Sequence, residues 1–347
     1  MGRDLIARPY GRFFYLPYYL AERGHDVTLL LLDYRNDAPV DMRRDCIRWI
    51  SEPLAMRNPG RYTGRLRQLL GVDHRPDWVI GLSDTYFGIL EQHYGHNYGI
   101  RSCIDAYDNF ESYIPWLKPM HGLWRRALSR VDLVTAAGPG LVQYMSRQRN
   151  GRPAVVVPMA ADPVGFTSMG QSECRSRMGL PVEGRLIGYC GSLHKNRGLD
   201  VLFAAIERLR ETHPDLLLVL SGRRGKNMSV PDSACELGYV EDDKMPLLLN
   251  SMDVLTVINR PSSFGNYSYP VKLYEAMACQ VPIVATETPA TGWILRDYPE
   301  MLVPPSRPDA LSERIKQNLE TGRVDYGQIS DWNSVCGGFE DALLDLT

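Results

Sequence analysis

One layout recurs along this sequence: an apolar run short enough for a strand, a loop, an amphipathic helix pattern, then another apolar run. It is clearest from Arg185. Leu186-Ile187-Gly188-Tyr189-Cys190 reads as a strand and residues 191–198 as a loop. Val201, Leu202, Ala205, Ile206 and Leu209 then share one helical face, and residues 216–220 are again wholly apolar. Strands that are apolar throughout are buried on both faces, which implies a parallel sheet covered by helices. The chain opens in the same way. Leu5-Ile6-Ala7 reads as a short strand, residues 9–12 as a loop, Leu16, Leu20 and Ala21 as the face of a helix ended by Gly24, and residues 27–32 as the next strand. Further strands are predicted at 78–82, 102–104, 133–136, 154–157, 254–258 and 282–285, and helices at 272–279 and in the tail after Trp332.

A chain of 347 residues is too long for one ordinary core and fits two domains. Both halves read as open parallel sheets, and Asp162-Pro163-Val164-Gly165-Phe166 is the expected divide. The expected organisation is a domain at 1–166, a second at 167–331, and a helix at 332–347 that returns to the first. With 44% hydrophobic and 23% charged residues, the chain should fold rather than remain disordered. The longest aliphatic run, 27–32, is far below the roughly 20 residues of a spanning helix. Arg3, Asp4 and Arg8 also leave no apolar stretch for a signal peptide. A cytoplasmic location is therefore expected. The seven scattered cysteines form no C-x-x-C pair, which argues against a disulfide framework or zinc ribbon. Residues 1–166 hold 21 Lys and Arg against 17 Asp and Glu, a balance of +4 that leaves −6 for the remainder. That excess is too small for a nucleic-acid-binding protein.

Open parallel sheets bind ligands beyond the carboxyl ends of their strands, where helix N-termini favour phosphate. Gly191, Ser192, Lys195 and Arg197 occupy such a loop: the glycine admits close backbone approach, and the two cations suit a diphosphate. An ordinary solvated loop would look the same. Glu275, in the helix announced by Pro270, is placed to accept ribose hydroxyls, or to serve only as an acid near a helix N-terminus. Asp105 and Asp108, after the strand at 102–104, are candidates to orient an acceptor hydroxyl, or one of them to cap a helix. Asp84 is the third acidic candidate, and Tyr10, Gly11 and Arg12 are the acceptor-side candidates in the first loop. No Asp-x-Asp pair ends a strand, so neither a metal nor any other cofactor is expected.

Taken in order, Gly191-Ser192-Leu193, Arg197-Gly198, Leu237-Gly238-Tyr239-Val240, Met252-Asp253-Val254-Leu255 and Pro270-Val271-Lys272-Leu273-Tyr274-Glu275-Ala276-Met277-Ala278 resemble the donor-binding domain of family-four glycosyltransferases. Leu20-Ala21-Glu22-Arg23-Gly24-His25-Asp26-Val27, Val131-Asp132-Leu133-Val134 and Pro158-Met159-Ala160-Ala161-Asp162 agree with its first domain. The resemblance implies the GT-B architecture, two Rossmann-like domains facing a central cleft. It also implies an enzyme that moves a sugar from a nucleotide diphosphate sugar to a hydroxyl acceptor, a glycan or lipid-linked sugar, with retention of anomeric configuration. In that family Arg197 matches the basic residue that contacts diphosphate, Glu275 the acid that holds ribose, and Tyr239 and Val240 the segment beside the base. Lys272 would supply charge and Leu273 a backbone N–H. Three departures stand out. Tyr267 occupies the place of a first glutamate, Ser192 follows Gly191 where a basic residue is common, and Ser83-Asp84 stands where many members have a histidine. An epimerase of the same architecture, or a non-catalytic nucleotide-sugar binder, are the alternatives.

An anionic membrane surface is a further expected partner, with peripheral attachment to the inner face of the membrane. Arg61, Arg65 and Arg67 alternate with apolar residues up to Leu70, and Trp124-Arg125-Arg126 combines a ring with charge.

Overall fold

A computed structural model describes residues 4–34, 37–54, 60–71, 75–82 and 84–346. The chain divides into two compact units, one of residues 1–158 with 332–347 and one of residues 159–331. The division falls after Pro158 rather than after residue 166. Phe166 is buried and its N–H bonds the Asp162 carbonyl, while Ala161 pairs with Asp331, so this stretch packs within the second unit.

The first unit holds seven strands among its described residues: β1 (Val27–Asp33), β2 (Val40–Arg44), β3 (Ile47–Pro53), β4 (Trp78–Leu82), β5 (Arg101–Ala106), β6 (Leu133–Ala136) and β7 (Ala154–Val156). They form two sheets, ordered β1-β3-β2 and β4-β5-β6-β7. The larger is parallel throughout, and β5 and β6 are almost wholly buried, although β5 carries Ser102 and Asp105 as well as apolar residues. Its helix Thr85–Tyr98 lies backbone to backbone on β4: a Cβ on Gly81 would stand 2.9 Å from the Gly88 Cα.

Two local readings of this unit are corrected. Leu5-Ile6-Ala7 is a turn and not a strand, because the Asp4 carboxylate accepts the N–H groups of Ile6 and Ala7. The unit is also not purely parallel, since β2 and β3 form an antiparallel hairpin. The helix Trp332–Leu344 belongs to this unit: Trp332 stacks on Tyr15 at 5.4 Å, and Arg23 and His25 both reach Glu340.

The second unit carries β8 (Arg185–Cys190), β9 (Leu216–Ser221), β10 (Cys235–Gly238), β11 (Val254–Val257), β12 (Ile283–Thr286) and β13 (Leu302–Val303). All neighbours are parallel, in the order β10-β9-β8-β11-β12-β13. Its core gathers Ile187, Leu218, Val254 and Val284 from the strands with Leu202, Ile206 and Leu209 from the helix Leu199–Arg210, the face the apolar spacing predicts.

Candidate nucleotide site of the second unit

Counted within the second unit, the strand order is 3-2-1-4-5-6, and it reverses between β8 and β11. At that reversal the loops after the two strands diverge, which makes their carboxyl ends the expected ligand position. The loop after β8 is fixed to its neighbour by backbone bonds. Gly191 N–H donates to the Ser221 carbonyl at 2.8 Å, Leu193 N–H to Arg223 at 3.0 Å, and Gly225 N–H to Leu193 at 2.9 Å. Gly222 permits the approach: at φ 144° it adopts a conformation side chains rarely reach, and a Cβ there would lie 1.8 Å from the Gly191 carbonyl oxygen.

Residues Lys195–Arg197 form one 3-10 turn, and Gly198 at φ 84° starts the helix after it. Lys195 is exposed and Ser192 half-buried. The Arg197 guanidinium crosses to the loop after β11, donating from Nη1 to Asn259 Oδ1 at 3.0 Å and lying 4.5 Å over the Phe264 ring. Asn259 is itself buried. Its N–H donates to Thr286 Oγ1 at 2.8 Å, and its carbonyl accepts the same hydroxyl at 2.9 Å. Three consecutive parts of the sheet, the ends of β8, β11 and β12, therefore set the position of one cation.

Glu275 lies in the helix Val271–Ala278 and is 1% exposed, with Lys272 Nζ 2.6 Å from its Oε2. Cys190, the last residue of β8, has its thiol pushed up to about 11 by burial, with the Lys272 charge opposing the shift. Lys272 thus shares electrostatic space with the end of β8. The Leu273 N–H is already bonded to the Pro270 carbonyl at 3.1 Å, so the phosphate donor expected of it is committed within the helix start. Tyr239 is 41% exposed and Val240 buried, after β10. Arg223, whose carbonyl accepts the Leu193 N–H, places its guanidinium 5.5 Å over the Tyr239 ring and links that segment to the loop after β8.

The acidic candidates of the first unit have other work. Asp105 is fully buried and receives Arg12 at both oxygens, Nε to Oδ2 at 2.7 Å and Nη2 to Oδ1 at 2.6 Å, together with the Thr135 hydroxyl at 2.6 Å. Arg12 also donates to the carbonyls of Val157 and Pro158. The pair ties the first helix to β5, β6 and the end of the unit. Asp84 caps the helix Thr85–Tyr98 by accepting the Tyr86 N–H at 2.9 Å, so the N-cap foreseen for Asp105 or Asp108 sits there instead. Ser83 lies outside the described residues. Asp108 is buried and accepts the Tyr113 hydroxyl at 2.6 Å. Tyr10 and Gly11 remain half-buried beside the start of the helix Arg12–Glu22. Among the described residues no group of three or more His, Cys, Asp or Glu could hold a metal ion.

The parallel sheet of the second unit, reversed at a loop built from glycine and cations, is Rossmann-like, and with the first unit it defines the GT-B glycosyltransferase class. The chain belongs to the family-four glycosyltransferases: residues 16–160 match the glycosyl transferase 4-like domain and residues 184–321 the glycosyl transferases group 1 domain. A D-inositol 3-phosphate glycosyltransferase of Stackebrandtia nassauensis is 30% identical over 224 residues, covering 54% of this chain and 48% of the relative. The chain spans about half the length of the curated relatives it matches. Two solved structures share the fold. Sucrose-phosphate synthase of Thermosynechococcus elongatus superposes with TM-score 0.78 at 16% identity, covering 95% of this chain and 91% of that one. HepE of Anabaena, in complex with UDP-glucose, gives TM-score 0.72 at 13% identity over 92% and 99%.

Proposed function

We propose that this protein transfers a sugar from a nucleotide diphosphate sugar to a hydroxyl acceptor in glycan or glycolipid synthesis, with retention of configuration. The observation that carries the reading is Arg197, a cation held by Asn259 and Phe264 at the reversal of a parallel sheet. HepE shares this fold and its structure holds UDP-glucose, which supports a nucleotide sugar as donor.

In this reading the diphosphate lies along the loop after β8, with Arg197, Lys195 and Lys272 around it. As the bond between sugar and diphosphate breaks, negative charge grows on the leaving group, and positioned cations stabilise that charge more than the ground state. Glu275 takes the ribose hydroxyls once Lys272 turns toward phosphate. These cations replace a divalent ion, so activity is metal-independent.

Calorimetry with nucleoside diphosphates tests the donor site. Arg197→Ala should weaken binding about tenfold or more, since a charge-assisted contact contributes roughly 1.5 to 3 kcal/mol. Unchanged affinity in a folded variant would reject the assignment. Turnover of the donor only when an acceptor is added would distinguish transfer from epimerisation and from binding alone. Turnover should also survive EDTA, and loss restored by manganese would contradict the metal-free reading.

A further inference from the structure

The helix Arg61–Leu70, expected to meet a membrane, turns its apolar face inward and pairs two of its three cations, Arg67 remaining exposed. Arg61 pairs with Glu52 and Arg65 with Asp41, while Tyr62, Leu66 and Leu70 are buried. Trp124 is likewise 3% exposed, in edge contact with Phe110. The exposed apolar surface lies a few residues away. Trp116 is 76% exposed, Leu123 53% and Ile114 42%. A tryptophan left this open is unusual for a soluble surface, and three large apolar side chains within ten residues form a patch rather than scattered exposure.

The patch is rigidly mounted. The helix Lys118–Leu128 buries His121, Trp124, Ala127 and Leu128 on its inner side. The Lys118 N–H donates to the Trp116 carbonyl at 3.0 Å, and His121 Nε2 lies 3.0 Å from the Ile114 carbonyl, fixing the preceding turn. Outside this anchored face the helix shows Leu123 to solvent with Lys118 and Arg126, and Arg126 stands one turn from Leu123.

Charge identifies the occupant. From Ser112 through Arg130 the chain has no Asp or Glu, but it has Lys118, Arg125, Arg126 and Arg130. Arg125 is committed to Glu111, whereas Lys118, Arg126 and Arg130 lie at the surface. An indole and aliphatic groups exposed on a stretch whose charged residues outside the pair of Arg125 with Glu111 are all cations match the headgroup boundary of an anionic bilayer, where Trp prefers to lie and each cation adds attraction. We infer that the turn and helix carrying Ile114, Trp116, Lys118, Leu123 and Arg126 form a docking surface for an anionic lipid bilayer. No helix of the described residues is long and apolar enough to cross a membrane, so this contact is interfacial. The inference goes beyond the donor assignment and does not rest on it.

Sedimentation of the full chain with vesicles tests it, comparing phosphatidylcholine alone with phosphatidylcholine containing about 30% phosphatidylglycerol. The protein should pellet with the anionic vesicles and less so at high salt. Trp116→Ser combined with Leu123→Ser should lower the bound fraction about tenfold, and Lys118→Glu combined with Arg126→Glu should abolish the preference for anionic lipid. Arg67→Glu, in the helix whose apolar face is buried, should leave binding unchanged. All of these positions except Trp116 and Leu123 are charged surface sites, and those two are exposed, so melting curves should stay near the parent's and nucleotide binding should persist. Equal recovery in the supernatant with both vesicles would overturn the inference, as would unchanged pelleting of the Trp116 and Leu123 variant. A dimer in size-exclusion chromatography that this variant dissolves, without vesicle binding by the parent, would assign the patch to a protein interface and also overturn it.

Discussion

Asp105 in the first unit and Glu275 in the second are both almost fully buried carboxylates beside one cation, yet the two pairs are built for different ends. Arg12 is 2% exposed and holds Asp105 bidentately while also bonding two carbonyls. Lys272 is 20% exposed and meets Glu275 through one ammonium, three residues away on the same helix. A guanidinium clamped in a fixed fork cannot turn to a ligand without leaving a buried charge unpaired, whereas an ammonium on a flexible stem can exchange partners at its open end. A charged pair near a strand end is therefore read by the geometry of its cation: a bidentate fork that also holds two carbonyls in the first pair, a single ammonium on a flexible stem in the second.

The largest expected effect tests the clamped pair. Arg12→Ala should lower unfolding free energy by about 3 to 5 kcal/mol, measured by denaturant titration, because it strands a buried carboxylate. A change below ~1 kcal/mol would mean that the pair is not structural. Lys272→Met should instead weaken nucleoside diphosphate binding about tenfold, with a smaller stability change; the reverse ranking would erase the contrast between the pairs.

A third buried acid, Glu91, has no partner of hydrogen-bond geometry at either oxygen, and burial pushes its carboxyl well above the usual carboxylate range, opposed only in part by the Gly81 backbone. The folded state therefore holds a proton that the unfolded chain loses above about pH 4.5, so stability falls as pH rises from there toward the raised folded value. Glu91→Gln should raise stability by about 1 to 3 kcal/mol at neutral pH, with the gain disappearing near pH 4 in thermal melts across pH. A constant gain at every pH would show that charge is not the cause. The smallest effect is expected at Asp84, where Asp84→Ala should cost about 1 kcal/mol through the lost cap, and Asp84→Asn much less.

The long strands of the second unit are legible in the sequence because each carries a nearly unbroken apolar run, whereas the short β10 and β13 carry none of that length; the apolar runs place 216–220 and 254–258 within a residue or so of the strands observed. The hairpin of β2 and β3 is not. Its β2 residues, Val40-Asp41-Met42-Arg43-Arg44, are half-buried or exposed and lack a continuous apolar run. Its turn puts Asp45 and Cys46 at φ 53° and 60° without the glycine that usually marks such a turn. Arg12 and Asp105 read as separate ligand-facing groups, since nothing local announces a bond across 93 positions. Asn259 and Phe264 escape a reading of the sequence for a related reason. The strand β11 ends just before Asn259 at the sheet reversal, but that position becomes informative only once the strand order is known.

The bridge between Ala161 and Asp331, reinforced by the Ala161 N–H to the Ser330 carbonyl at 3.2 Å, joins the two ends of the second unit. Topologically, residues 159–331 are an insertion within a domain that begins before them and ends after them. Such an insert starts and finishes at one point, so its removal leaves a gap that a short linker can close, and its replacement by a homologous insert requires no new register in the host. The second unit and the helix Trp332–Leu344 that completes the first unit can therefore diverge independently, although one lies between the other and the rest of its own domain in sequence.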